Sequence, residues 1–154
     1  MLDTRLSQVT DSFNQMEQLL LQVADDQDWQ LSPDEWSFRF LAGHLAVTDR
    51  ECWLVRIQQL AAGDTSQFET YLNTGRDFQE HTLTEWLTIW RQCRGEIVAY
   101  VPTLTEVQLT VSGNHDWFGE LTIPRILVEM HNHDLGHIAE MQPAFETCLK
   151  QKLR

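Results

Sequence analysis

Residues 126–141 read Ile126-Leu-Val-Glu-Met-His-Asn-His-Asp-Leu-Gly-His-Ile-Ala-Glu-Met141. The spacing is that of a helix, and Met130, Met141 and the nearby Ala144 share a face with His133 and His137. A helix stacks these two histidines one turn apart, with Cβ atoms about 6 Å from each other, near enough to share a metal ion. A solvated helix face has the same spacing. The apolar company of the pair argues instead for rings that point inward, where an unpaired polar group is costly and needs a partner.

Working outward, this helix starts near Thr122, with Pro124 in its first turn, and runs to about Lys150. Pro143 is expected to kink or shorten it, because a proline in mid-helix costs about 3 kcal/mol. Three further helical stretches precede it. Asp3 to Ala24 carries Leu6, Val9, Phe13, Met16, Leu20 and Val23 at three- and four-residue spacing. Ser37 is a suitable N-cap for a helix reaching Ala62, where Gly63 and Asp64 stop it, and Ser32, Pro33 and Glu35 suggest a short helical turn before it. Thr82 and Glu85 have capping-box spacing at the start of a third helix that ends near Val101, ahead of Pro102. Between it and the last helix, residues 103–122 include the alternating Val107-Gln-Leu-Thr-Val111, which fits two short strands or an ordered loop.

These features predict an all-α fold: one domain over residues 1–154, an antiparallel four-helix bundle with a short irregular or β-hairpin insert before the last helix. Bundles build metal sites from side chains on facing helices. His44 is the third candidate ligand, set in the apolar Phe40-Leu-Ala-Gly-His-Leu-Ala-Val47 with Leu41, Thr48 and Val55 on its side. A lone histidine there reads as a core residue, but three that converge read as a metal site. Gly43 and Gly136, each just before a candidate ligand, either leave room for an ion and substrate or allow close helix packing.

Trp36-Ser-Phe-Arg-Phe-Leu-Ala-Gly-His44-Leu, Phe118-Gly-Glu-Leu-Thr122 and His133-Asp-Leu-Gly-His137-Ile-Ala-Glu-Met141 together resemble the DinB/YfiT-like superfamily, in order and spacing over nearly the whole chain. The resemblance implies a metalloenzyme bundle in which His44, His133 and His137 hold zinc, nickel or a similar divalent ion. It also implies thiol S-transferase, thiol-dependent isomerase or hydrolase chemistry, with a low-molecular-weight thiol as a co-substrate. Many relatives carry Gln where Glu140 stands.

Three neutral imidazoles leave the ion's charge free to act on its open positions, as in catalytic rather than closed sites. The expected reaction uses a thiol or water activated by the metal. Glu51, two turns beyond His44, and Glu129, one turn before His133, are candidate supporting carboxylates, although acidic residues on a solvated edge of the bundle are the simpler reading of both. His131 points about 200° from His133 on an ideal helix. Asp134, His115 and His81 are left outside the ligand set, and the tryptophans read mainly as core mass.

Composition sets limits on partners. The chain has 154 residues and a net charge of -12, with 42% hydrophobic residues. Lys and Arg form no cluster, so nucleic-acid binding is not expected. No apolar run suits a membrane span, and no signal peptide is apparent. Cys52, Cys93 and Cys148, widely spaced and odd in number, suit reduced core thiols in a cytoplasmic protein. The expected partner is a small-molecule substrate, with a homodimer as a further expectation. The alternative is a non-catalytic bundle that binds a metal or small molecule and acts by association.

Overall fold

The computed structural model describes all 154 residues. Four helical rods form the bundle: α1 (Leu2–Gln22), α2 (Phe38–Thr48) continued through a π-helical turn (Asp49–Trp53) into α3 (Leu54–Ala61), α4 (Leu83–Tyr100), and a last rod described below. After α4 come a one-turn helix α5 (Glu106–Thr110), a hairpin of β1 (Ser112–His115) and β2 (Gly119–Thr122), and α6 (Ile123–Lys152). The principal helix contacts pair α2 with α4 and α1 with α6, with α1 also against α4. No helix is long and apolar enough to cross a membrane.

Local chemistry sets the rod ends. Ser37 accepts from the Phe40 N–H at the start of α2, and Thr82 with Glu85 forms the expected reciprocal capping box on α4. Thr122 caps α6 by accepting from the Arg125 N–H, and the helix continues past Pro143 to Lys152 instead of stopping there. Residues 31–35 form bends and a single hydrogen-bonded turn, in which the Glu35 N–H donates to the Ser32 carbonyl, without growing into a helix. The Val107–Val111 alternation is mostly helix, not strand. Thr105 and Gln108 close a capping box there, and Val107, 76% exposed, has no sheet face to cover.

Two hydrophobic clusters fill the bundle. One gathers Phe13, Met16, Leu45, Trp86, Trp90 and Phe145; the other gathers Val9, Ile57, Ile97, Ile126 and Met130. A polar layer separates them. Ser12, Asp49, Arg94 and Asp134 are all buried, and each falls between the two clusters along its own rod. Arg94 donates to both Asp49 oxygens at 2.8 and 3.0 Å, to both Asp134 oxygens at 2.7 and 3.2 Å, and to the Val9 carbonyl at 2.9 Å. Ser12 donates to Asp134 at 2.6 Å.

The π turn changes the faces that follow it. A wider turn delays the helical phase by about one residue, or about 100°. Val55, expected on the His44 side, is therefore 40% exposed, while Arg56 is turned inward and buried. Gly43 serves close packing: a Cβ there would collide with the Phe78 ring. Nothing lies near a Cβ built at Gly136.

Breaking the polar layer should be costly because the Arg94 charge would lose half its compensation. Asp134→Ala is expected to lower stability by about 3–5 kcal/mol, read from urea denaturation monitored by circular dichroism.

Candidate metal centre

His44 on α2 meets His133 and His137 on α6. Their Nε2 atoms form a nearly equilateral triangle: 3.2 Å from His44 to His133, 3.1 Å from His44 to His137, and 3.1 Å between His133 and His137. Each such nitrogen offers one in-plane lone pair or one hydrogen. An N–H in the triangle could serve two of the three contacts, which leaves two lone pairs facing each other across the third. A cation at the centre resolves the conflict.

The spacing also fits. With metal–nitrogen bonds of about 2.05 Å, neighbouring donors stand about 3.3 Å apart in a tetrahedral site and about 2.9 Å apart at a right angle. The observed triangle lies between these values, so no large movement of the rings is needed.

Burial, and for His44 the two neighbouring imidazoles, lowers its pKa to about 3. Burial followed by His137 lowers that of His133 to about 4. His137 is lowered by burial, with Glu140 opposing. All three rings are therefore neutral at pH 7, the protonation state in which imidazole ligates metals.

Surrounding groups hold the rings in place. The Asn73 side-chain amide lies 2.8 Å from His44 Nδ1. Ligation through Nε2 puts the proton on Nδ1, and the amide can serve it with its oxygen, since the two ends of the amide have the same shape. Glu140 brings a carboxylate oxygen to 3.3 Å from His137 Nδ1. That nitrogen has no aligned hydrogen bond, and the exposed Glu140 carboxylate is the acceptor beside it. Trp36 stacks on His137 with ring centres 5.3 Å apart and also contacts His44 at 4.9 Å.

The other candidates divide. Glu51 accepts from Tyr71 and Arg76, and Glu129 accepts from Arg125, so neither serves a histidine of the triangle. For Glu51 the π turn is the reason, because it breaks the α-helical phase that would align this residue with His44. His131 turns outward to the Gln8 carbonyl. Asp134 belongs to the polar layer, and His81 lies beside Glu85 and Trp86.

His115 is drawn in. It lines a cavity of about 320 Å³ that opens beside His44 and His133 and is also walled by Trp53, Tyr71 and Phe118. Trp36 and Trp53 thus border the histidine cluster and are not merely core mass, whereas Trp86 and Trp90 are fully core. The three cysteines are free and buried. Cys52 faces the cavity, but burial pushes its thiol up to about 12, so it is no nucleophile at neutral pH.

Residues 8–141 match the DinB superfamily, and the chain belongs to it. Among solved structures, YfiT from Bacillus subtilis is similar with a TM-score of 0.76 and 19% sequence identity, over 92% of this chain and 84% of that one. YfiT is described as a probable metal-dependent hydrolase with an unusual four-helix bundle topology. No curated protein gives a significant match.

The lowered pKa values predict a pH dependence for the metal-free protein. Unfolded histidines bind protons near pH 6.5 and the folded ones resist them, so unfolding takes up protons below that pH. Stability should be fully present above about 6.5 and fall as the pH drops toward 4. Chemical denaturation at a series of pH values checks this, and the dependence should flatten when all three histidines are replaced by Ala.

Proposed function

We propose that the protein is a divalent-metal-dependent enzyme in which His44, His133 and His137 hold the ion and the adjoining cavity holds a small substrate. The triangle of Nε2 atoms carries this reading, because no protonation pattern of the rings alone satisfies all three contacts. Zinc and nickel both suit a site built from imidazole. The chemistry proposed is transfer of a low-molecular-weight thiol to an electrophile, or hydrolysis. The three free buried cysteines suit a reducing, cytoplasmic setting.

When bound, such an ion supplies Lewis acidity and brings a thiol or water toward deprotonation near neutral pH. The chain's own part is positional. Asn73 and Glu140 are placed to fix which nitrogen of His44 and of His137 carries the proton, and Trp36 limits rotation of both rings. No carboxylate lines the cavity, Cys52 stays protonated, and the hydroxyls of Thr48, Thr70 and Tyr71 there are engaged in donating to the His44 carbonyl, Asp116 and Glu51. The reading therefore assigns attack to an incoming thiol or water. An open cavity beside the ligands favours catalysis over a purely associative role.

Metal analysis of untagged, chelator-free protein should find about one ion per chain, lost when the three histidines become Ala. Absence of metal even after reconstitution with zinc and nickel would overturn the proposal. Asn73→Ala should weaken zinc affinity by about 10- to 100-fold in a chelator competition, with the helical circular dichroism spectrum retained. Parallel assays of thiol conjugation to an aryl halide and of ester hydrolysis separate the two reactions.

A further inference from the structure

Two arginines are buried in this acidic protein, and their surroundings differ. Arg94 is matched by two carboxylates. Arg56, only 7% exposed, forms no ion pair. Its guanidinium donates to the Glu69 backbone carbonyl and lies 5.7 Å from the Trp53 ring centre and 5.9 Å from that of Phe68. Taking a guanidinium out of water without an opposite charge is unfavourable. Arg5, Lys150 and Arg154 also form no ion pair but are not buried, so Arg56 is the one buried cation left without a carboxylate, in a chain with 23 acidic residues against 11 basic ones.

Arg56 lines the same cavity as His44 and His133. It reaches that wall because the π turn at Asp49–Trp53 shifts the phase of α3. His115 joins it there. The backbone N–H groups of Trp117 and Phe118 point at His115 Nδ1, at 3.0 and 3.1 Å, so the ring proton resides on Nε2. Asp116 also stands 3.2 Å from Nδ1, but its carboxylate already accepts from the Thr70 N–H and O–H. Nε2 is buried with no aligned hydrogen bond, beside the Glu69 backbone carbonyl that already accepts from Arg56.

We propose that Arg56 and the His115 Nε2–H form an anion subsite that holds the carboxylate of a small organic acid, with its apolar body against Trp53 and Phe118. A planar guanidinium matches a carboxylate, and one cation with one neutral donor balances a single negative charge better than a phosphate dianion. The cavity volume suits a small ligand. This deepens the functional reading by naming the substrate class, and it rests on that reading's assignment of the cavity as the substrate site.

Benzoate and its neutral counterpart benzamide test it, by calorimetric titration into the metal-free protein and into the variant with His44, His133 and His137 all changed to Ala. Benzoate is expected to bind at least about 10-fold more tightly than benzamide in both. Arg56→Met should erase that preference, and His115→Phe should reduce it several-fold. Equal binding of the two probes, a preference that survives Arg56→Met, or benzoate binding seen only after zinc is added would overturn the subsite. If Arg56→Met does not fold, the benzoate-to-benzamide ratio in the otherwise native protein decides alone. A preference for benzoate in a protein that takes up no metal would keep the subsite and reject the metalloenzyme reading.

Discussion

Arg94 is the charge around which the bundle is organised. It has no exposed route to water, so Asp49 and Asp134 must approach it, and each comes from a different rod. The Val9 carbonyl and Ser12 bring α1 into the same contact set. Hydrophobic packing alone tolerates sliding and rotation between helices, whereas a bidentate guanidinium does not. The layer therefore fixes register between the two apolar clusters, and replacing it by apolar side chains would remove that constraint even where it left stability unchanged.

The histidine triangle follows from that register. Asp134 sits between His133 and His137 in sequence and points to Arg94. This sets the two histidines about 60–100° around the helix, where they face α2. Asp49 fixes the other side, five residues beyond His44 and at the first residue of the π turn. The turn also rotates Arg56 inward and Val55 outward. One local irregularity thus changes which side chains of α3 belong to the cavity.

Two segments outside the rods complete the site. Phe68 accepts from and donates to the backbone on either side of His115, which ties the long loop after α3 to the hairpin. Glu51 anchors the same loop through Tyr71 and Arg76, and that loop carries Asn73 to His44. Glu51 thus supports the cluster through the loop and not as a base. The centre combines neutral imidazoles with one buried guanidinium that has no carboxylate partner, in a chain of charge -12.

The sequence alone determined the rods, their caps and the candidate ligands. Helical periodicity, the Thr82–Glu85 box and the four-residue histidine spacing are local features, and local geometry converts them directly into position. His44 was also legible, from its apolar setting together with the resemblance of its flanking residues to a family pattern. Tertiary structure decided what depends on phase and on long-range approach. The π turn moved Glu51, Val55 and Arg56 to faces that an ideal helix does not give them. Asn73 and His115 lie in segments without periodicity, 29 and 71 residues from His44, so only the folded loop and hairpin bring them to the cavity. Asp134 was visible beside a ligand, but its partner Arg94 is 40 residues away, and no local pattern joins two charges that meet only when helices pack.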